Sequence, residues 1–293
     1  MKKTLIIDCH NVGYSSFYTF GELSYQEKKT GVIFGFLRQI FNLAKKFETN
    51  KFIFCWDSRK SYRKLIYPEY KESRYNKELT KEELRDLKLA REQFTTLRKD
   101  ILPRMGFNNN FMQVGYEADD LMAKLALDIN NVHWTTLVTS DKDLYQMLYE
   151  CSIYNLSTKK EIDWKWFTDK YGIVCYEWSD VKAIGGCDSD GVKGIKGAAD
   201  PTKSESSKAL SYFKQELTSG VIFDKIQSKE GKRIIKRNKR LIKLPFEGKI
   251  PIKLELQEDN FNKNSFIDVF VDYDMQSFLK KEALDEWIKL FDL

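Results

Sequence analysis

Three short apolar runs, at 5–8, 51–56 and 135–139, each lead straight into an aspartate, and no other feature of the chain restricts its fold as much. Leu5-Ile6-Ile7 meets Asp8, Phe52-Ile53-Phe54-Cys55-Trp56 meets Asp57, and Thr135 to Thr139 is followed by Ser140-Asp141-Lys142-Asp143. Continuous apolar runs of this length fit strands covered on both faces. Between them lie stretches with helical spacing: Phe36, Ile40, Leu43 and Phe47 within 32–47, and Leu121, Leu125 and Ile129 within 117–129. Strands alternating with helices predict an α/β fold with a mostly parallel central sheet flanked by helices. Ligands of such sheets gather beyond the carboxyl ends of the strands, so Asp8, Asp57 and Asp141 are expected to share one crevice.

The stretch 58–104 differs in character. Aromatic and basic residues interleave through Tyr62, Arg63, Lys64, Tyr67, Tyr70, Lys71, Arg74 and Tyr75. A charged helix is expected over 80–99, with Thr80-Lys81-Glu82-Glu83 as its capping box. Strand signals fade beyond Trp178, so a soft boundary near Tyr176 divides an α/β core, 1–176, from a helical C-terminal part, 177–293.

Lys and Arg number 49 against 43 Asp and Glu, so the net charge of +6 is the remainder of two opposed populations. The signs are segregated. Basic residues run together at 59–74 and 225–243, while carboxylates gather in knots such as Glu117/Asp119/Asp120. Basic surface beside concentrated acid suits a protein that holds a polyanion and uses metal ions. The five cysteines contain no C-x-x-C pair, which argues against structural zinc, and their odd number argues against a disulfide framework. Lys2-Lys3 precedes an apolar stretch too short for a signal peptide, and no uncharged run reaches the ~18 residues of a membrane span. A cytoplasmic protein without membrane contact is therefore expected.

Three carboxylates within four positions, Glu117, Asp119 and Asp120, open a helix whose dipole favours anions there. Alone they could be an acidic first turn. Joined by Asp8, Asp57, Asp141 and Asp143 they would repel one another unless cations intervene, and hard divalent ions such as Mg²⁺ fit oxygen ligands.

In order and spacing, Ile6-Ile7-Asp8, Trp56-Asp57, Tyr70-Lys71-x-x-Arg74, Glu117-Ala118-Asp119-Asp120, Ser140-Asp141-Lys142-Asp143 and Gly185…Asp190-Gly191-Val192-Lys193-Gly194 resemble the flap endonuclease family. That family includes bacteriophage and bacterial 5′–3′ exonucleases and the nuclease domain of DNA polymerase I. The resemblance implies a nuclease with two Mg²⁺ ions, replaceable by Mn²⁺. Asp8, Asp57, Glu117, Asp119 and Asp120 would surround one ion; Asp141, Asp143 and a carboxylate from 187–190 would serve the second. It further implies that the stretch 58–104 forms a helical arch, that Lys71 and Arg74 act on the scissile phosphate, that Tyr70 stacks on a base, and that Arg63 and Lys64 lie on the arch facing DNA. Where relatives carry Asp-x-x-Asp, this chain reads Cys187-Asp188-Ser189-Asp190, and Asp188 and Asp190 are both expected to serve the site. Gly194-Ile195-Lys196-Gly197-Ala198-Ala199 resembles the family's helix-hairpin-helix, with Ala199 in place of a glycine. Lys193, Gly194, Lys196 and Gly197 would contact duplex backbone there, beside a K⁺ site, and Lys236, Arg237 and Arg240 would add phosphate contacts. The implied partners are DNA with a 5′ flap or junction, an RNA–DNA hybrid, and no second copy of the chain.

Two other readings remain open on these residues. A junction-binding homologue with an impaired second metal site would keep the fold without the chemistry, and Cys187 is its support. A phosphatase with Asp8 as nucleophile would want a second acid two positions on, where this chain has His10.

Overall fold

The computed structural model describes residues 2–21, 23–25, 28–72, 79–204 and 207–293. The three apolar runs form adjacent strands at the middle of its main sheet. In chain order its strands are β1 (Thr4–Asp8), β2 (Lys51–Cys55), β3 (Asn110–Phe111), β4 (Thr135–Val138), β5 (Ser152–Asn155) and β6 (Lys160–Ile162). They lie in the order β3-β2-β1-β4-β5-β6, parallel throughout except for β6 against β5. The expected mostly parallel sheet is therefore present.

Successive side chains of a strand point to opposite faces. Leu5, Ile7, Phe52 and Phe54 accordingly enter one apolar cluster, while Ile6, Ile53 and Cys55 enter another. The first face is covered by α1 (Cys9–Phe20), α2 (Gly31–Phe47) and α3 (Lys81–Thr96). The second is covered by α4 (Ala118–Ile129) and α5 (Trp178–Gly185). Burial on both sides explains why these strands read as unbroken apolar runs.

Helix starts follow local chemistry. Thr80 and Glu83 form the expected reciprocal capping box on α3. The N-terminus of α2 has no side-chain cap of its own; instead Gln93 Oε1, from α3, accepts from the amides of Val32 at 3.1 Å and Ile33 at 3.2 Å. That contact, with Ala90 and Phe94 buried, fastens the second half of α3 to the core. Part of the stretch 58–104, expected to form an arch, thus packs on the core through the apolar stripe of α3.

The boundary expected near Tyr176 does not divide the core. The chain continues through α6 (Lys229–Ile242), α7 (Lys263–Asp272) and α8 (Lys281–Phe291). Phe266, Phe270, Trp287 and Phe291 of α7 and α8 return to the first face and join Phe36, Phe41 and Phe107. Leu244 and Phe246 join Tyr116 on the second face. Trp287 is fully buried and stacks on Phe41 at 4.7 Å between centroids. Without this cover the rings of Phe41 and Phe107 would face water, at a cost of about 1.5–3 kcal/mol for each large apolar side chain left exposed.

The Trp287 indole nitrogen has no hydrogen-bond partner. Replacing Trp287 with Ala is expected to cost about 3–5 kcal/mol of unfolding free energy through loss of its packing, whereas Trp287→Phe should cost less than half of that, since no hydrogen bond is lost. Urea unfolding of the two variants measures the difference.

Candidate active site

From β1 the chain steps outward to β2 and β3, then returns to place β4 on the other side of β1. Such a reversal opens a crevice at the carboxyl ends of the two diverging strands. Asp8 ends β1 and caps α1, its Oδ1 accepting from Asn11 N at 3.0 Å; its Oδ2 accepts from Thr139 Oγ1 at 3.0 Å across the reversal. Asp57, just past β2, accepts from Ala118 N at 2.8 Å through Oδ1. Asp141, beyond β4, accepts from Asp143 N at 2.8 Å. Burial, then the charge of Asp57, and more weakly that of Asp141, push the Asp8 carboxyl up to about 7. The three strand-end acids thus share one electrostatic neighbourhood. His10 Nδ1 accepts from Asp57 N at 3.1 Å, and burial lowers its pKa, so a neutral ring supports the Asp57 backbone.

The acids at the start of α4 divide into different roles. Asp120 is fully buried and its oxygens are saturated: Arg63 donates to both at 2.7 and 2.8 Å, Phe246 N donates at 2.8 Å, and Glu117 N at 3.0 Å. Arg63 is 1% exposed and spends its remaining Nε donor on the Leu241 carbonyl at 2.8 Å. Asp120, expected to bind metal, and Arg63, expected to meet DNA, thus face each other in the interior as a bidentate pair. Tyr70, 2% exposed, donates to Glu117 Oε2 or Asp190 Oδ2, each at 3.0 Å. The ring expected to stack on a base is therefore buried beneath these two acids.

Lys71 does lie at the site. Its ammonium is 2.7 Å from Glu117 Oε2 and 3.8 Å from Asp190 Oδ1. Burial disfavours the Glu117 charge, but Lys71 and Arg63 outweigh it and bring the carboxyl down to about 2. Asp119 is held the other way: burial, then the charge of Asp120, raise its pKa, and its buried Oδ1 has no hydrogen-bond partner. Arg74 lies outside the described residues.

Beyond α5 the chain makes a small antiparallel hairpin of β7 (Gly186–Cys187) and β8 (Val192–Lys193). Gly186 has φ +89°, and a Cβ there would lie 2.5 Å from Gly194 N, so the close approach of the two strands requires glycine. The hairpin brings Cys187 and Asp190 to Asp143, with ligand atoms all within 4.8 Å of one another. Asp188 is not among them. In the tight turn Asp188–Asp190 the two acids diverge: Asp190 turns in toward Tyr70, and Asp188 turns out to a 2.6 Å ion pair with Lys203. Of the two acids expected at the site, Asp190 alone is within ligand distance of Asp143 and Cys187. Lys182, on α5, was not anticipated from the sequence. It is 2% exposed, paired with Asp143, and 3.5 Å from Cys187 Sγ. A lone lysine in the apolar stretch Val181-Lys182-Ala183-Ile184 was the available signal.

Lys193 and Lys196 are exposed on and after the hairpin, beside Gly194 and Gly197. Gly197 and Ala199 both take positive φ, +97° and +63°. On α6, Lys236 and Arg240 are exposed. Arg237 is tied down, donating to the Lys193 carbonyl at 3.0 Å and lying 4.8 Å from the Tyr67 ring centroid. Lys64 is exposed.

Hard oxygen donors at Asp8, Asp57 and Asp141, with no Lys or Arg paired to any of them among the described residues, fit a divalent cation. The orphaned Asp119 oxygen is a further buried acceptor lacking a cation.

Residues 3–172 match the family described as 5′-3′ exonuclease, N-terminal resolvase-like domain. The chain is 31% identical over 202 residues to the 5′-3′ exonuclease of Buchnera aphidicola subsp. Schizaphis graminum, covering 66% of each. It is 25% identical over 309 residues to DNA polymerase I of Caldicellulosiruptor bescii, covering 98% of this chain and 34% of that protein. It thus spans about two thirds of the first relative and a third of the second. Among solved structures, the T5 D15 protein co-crystallised with metal ions superposes with a TM-score of 0.67 at 17% identity, covering 98% of this chain and 99% of that one. Flap endonuclease-1 from Methanococcus jannaschii superposes with a TM-score of 0.59 at 18% identity, covering 99% and 93%. These two likenesses establish the fold.

Removing Arg63 strands the Asp120 charge in the core, so Arg63→Ala is expected to cost about 3–5 kcal/mol in a urea melt. A second outcome concerns pH. The folded, metal-free protein holds the Asp8 proton up to about 7, whereas an unfolded chain releases it near 3.8. Stability contributed by this group is present below the lower value and lost as pH rises through the upper one. Asp8→Asn should therefore raise the metal-free stability at pH 8 by about 1–3 kcal/mol and flatten its pH dependence between 4 and 8, followed by urea unfolding.

Proposed function

This chain belongs to the 5′–3′ exonuclease family, and from that premise we propose that it is a structure-specific, metal-dependent 5′ nuclease. It hydrolyses phosphodiesters at 5′ ends, flaps or RNA primers beside duplex DNA, during replication or repair. The observation that carries this reading is the meeting of Asp8, Asp57 and Asp141 at the sheet's reversal, where burial and mutual repulsion hold the Asp8 carboxyl at about 7. A protein would not keep such a concentration of negative charge without a cation to bind there. The ion is Mg²⁺, with Mn²⁺ able to replace it. When bound it supplies the positive charge that activates water for attack and stabilises the leaving oxygen.

The roles of the chain's own residues follow from where they lie. Asp8, Asp57 and Asp141 hold the ion, and Asp119, whose buried Oδ1 has no hydrogen-bond partner, is a further acceptor. Lys71, resting between Glu117 and Asp190, is the lysine assigned to turn toward a phosphate and offset charge developing there. Arg74 would join it from the adjacent segment. Tyr70 and Arg63 position: one spans Glu117 and Asp190, the other fixes the start of α4 through Asp120. Duplex backbone is met by exposed Lys193, Lys196, Lys236 and Arg240, with the turn at Gly194 and Gly197 acting as a reduced helix-hairpin-helix. The protein acts as a monomer.

A 5′-labelled flap incubated in Mg²⁺ tests the reading. Cleavage by the unaltered chain is expected, with Asp8→Asn and Asp141→Asn each lowering the rate on the order of a hundredfold or more while flap binding in Ca²⁺ persists. Tight flap binding with no cleavage by the unaltered chain in Mg²⁺ or Mn²⁺ would instead identify a junction-binding homologue.

A further inference from the structure

The two halves of the acidic crevice differ in how their charge is balanced. Asp8, Asp57 and Asp141 have no ammonium or guanidinium partner among the described residues, with only His10 alongside Asp57. The other half, Asp143, Cys187 and Asp190, contains two carboxylates and already faces two lysines. Lys182 pairs with Asp143, and Lys71 approaches Asp190 at 3.8 Å. The third ligand there is a thiol. A hard divalent ion gains little from a thiol ligand, and the two carboxylates that would have to hold it beside its waters are those the lysines already face. Asp188, the nearest acid in sequence that could supply another, is turned outward to Lys203.

Lys182 is also built into this position. It projects from the last turn of α5, the chain reverses at Gly186, and Cys187 comes back beside the ammonium at 3.5 Å. The lysine is 2% exposed and is held there by its ion pair with Asp143. A divalent ion entering between Asp143 and Asp190 would meet a fixed positive charge already there.

We propose that the Lys182 ammonium takes the place of a second metal ion, so that the active centre works with one divalent ion at Asp8, Asp57 and Asp141 and one lysine at Asp143 and Cys187. This rests on the nuclease reading above. The donor set at Asp143, Cys187 and Asp190 is poorly matched to Mg²⁺, because one of the three is a thiol and both carboxylates already face lysines. Lys182 is then a positioning residue: it holds Asp143 and the hairpin in place and keeps a positive charge beside the site at every metal concentration.

Counting ions separates this from a two-ion centre. Mn²⁺ titrated into the full chain, with free ion followed by electron paramagnetic resonance, is expected to fill one tight site per chain, and flap cleavage should rise hyperbolically with Mn²⁺. The double substitution Cys187→Asp with Lys182→Met supplies an acid and removes the ammonium. It should bind two Mn²⁺ per chain and make the rate depend on Mn²⁺ with a Hill coefficient approaching two. Two comparable sites in the unaltered chain, with cleavage intact, would overturn the lysine assignment alone, and that count holds even if the double variant fails to fold. A folded double variant that still binds one ion would overturn it as well. No ion bound and no cleavage by the unaltered chain would instead remove the nuclease reading on which it rests.

Discussion

Repulsion among carboxylates delivered by separate strands is the constraint around which this molecule is arranged. The parallel sheet reverses its order at β1, and that topology alone carries Asp8, Asp57 and Asp141 into one crevice although they are far apart in sequence. Each acid is then given donors that orient it without neutralising it: a backbone amide and a threonine hydroxyl for Asp8, the first amide of α4 for Asp57. Oriented but uncompensated anions are what a metal site needs before its metal arrives. A short way along the crevice the same problem is met in the opposite manner, with lysine and arginine side chains drawn in among Glu117, Asp120, Asp143 and Asp190.

The sheet and its acidic ends were legible because both depend on local patterns. An unbroken apolar run ending in aspartate needs no partner to be recognised, and the capping box at Thr80 is complete within four residues. The ion pairs were not legible. Arg63 lies in a run of basic and aromatic residues that reads as exposed, yet it is one of the largest fully buried side chains because Asp120 sits opposite, 57 positions away. A pattern along the chain shows charge, and it takes the third dimension to show which charges cancel.

The same limit governs Tyr70 and Asp188. Tyr70 stands among lysines and arginines like a ring meant for a base, but its hydroxyl bridges Glu117 of one element and Asp190 of another. Asp188 and Asp190 differ by two positions in a tight turn, and the direction in which each side chain leaves that turn decides which of them meets Asp143. Spacing can propose either acid; only the backbone path around Gly186 chooses between them.

Rigidity follows from how these contacts are distributed. Arg63 joins the segment after β2 to the start of α4 and, through the Leu241 carbonyl, to the end of α6. Tyr70 joins that same segment to the hairpin, reinforced by the Lys71 amide donating to the Asp190 carbonyl at 2.8 Å. The basic helix α6 is in turn held to the hairpin by Arg237 and by Asn238, which donates to the Lys193 and Ala183 carbonyls. A surface suited to phosphates is thus linked to the acidic crevice through buried polar contacts rather than through a flexible connection. Because buried hydrogen-bonded networks of this kind tolerate little rearrangement, the exposed basic face of α6 at Lys236 and Arg240 stands at a fixed distance from the acids.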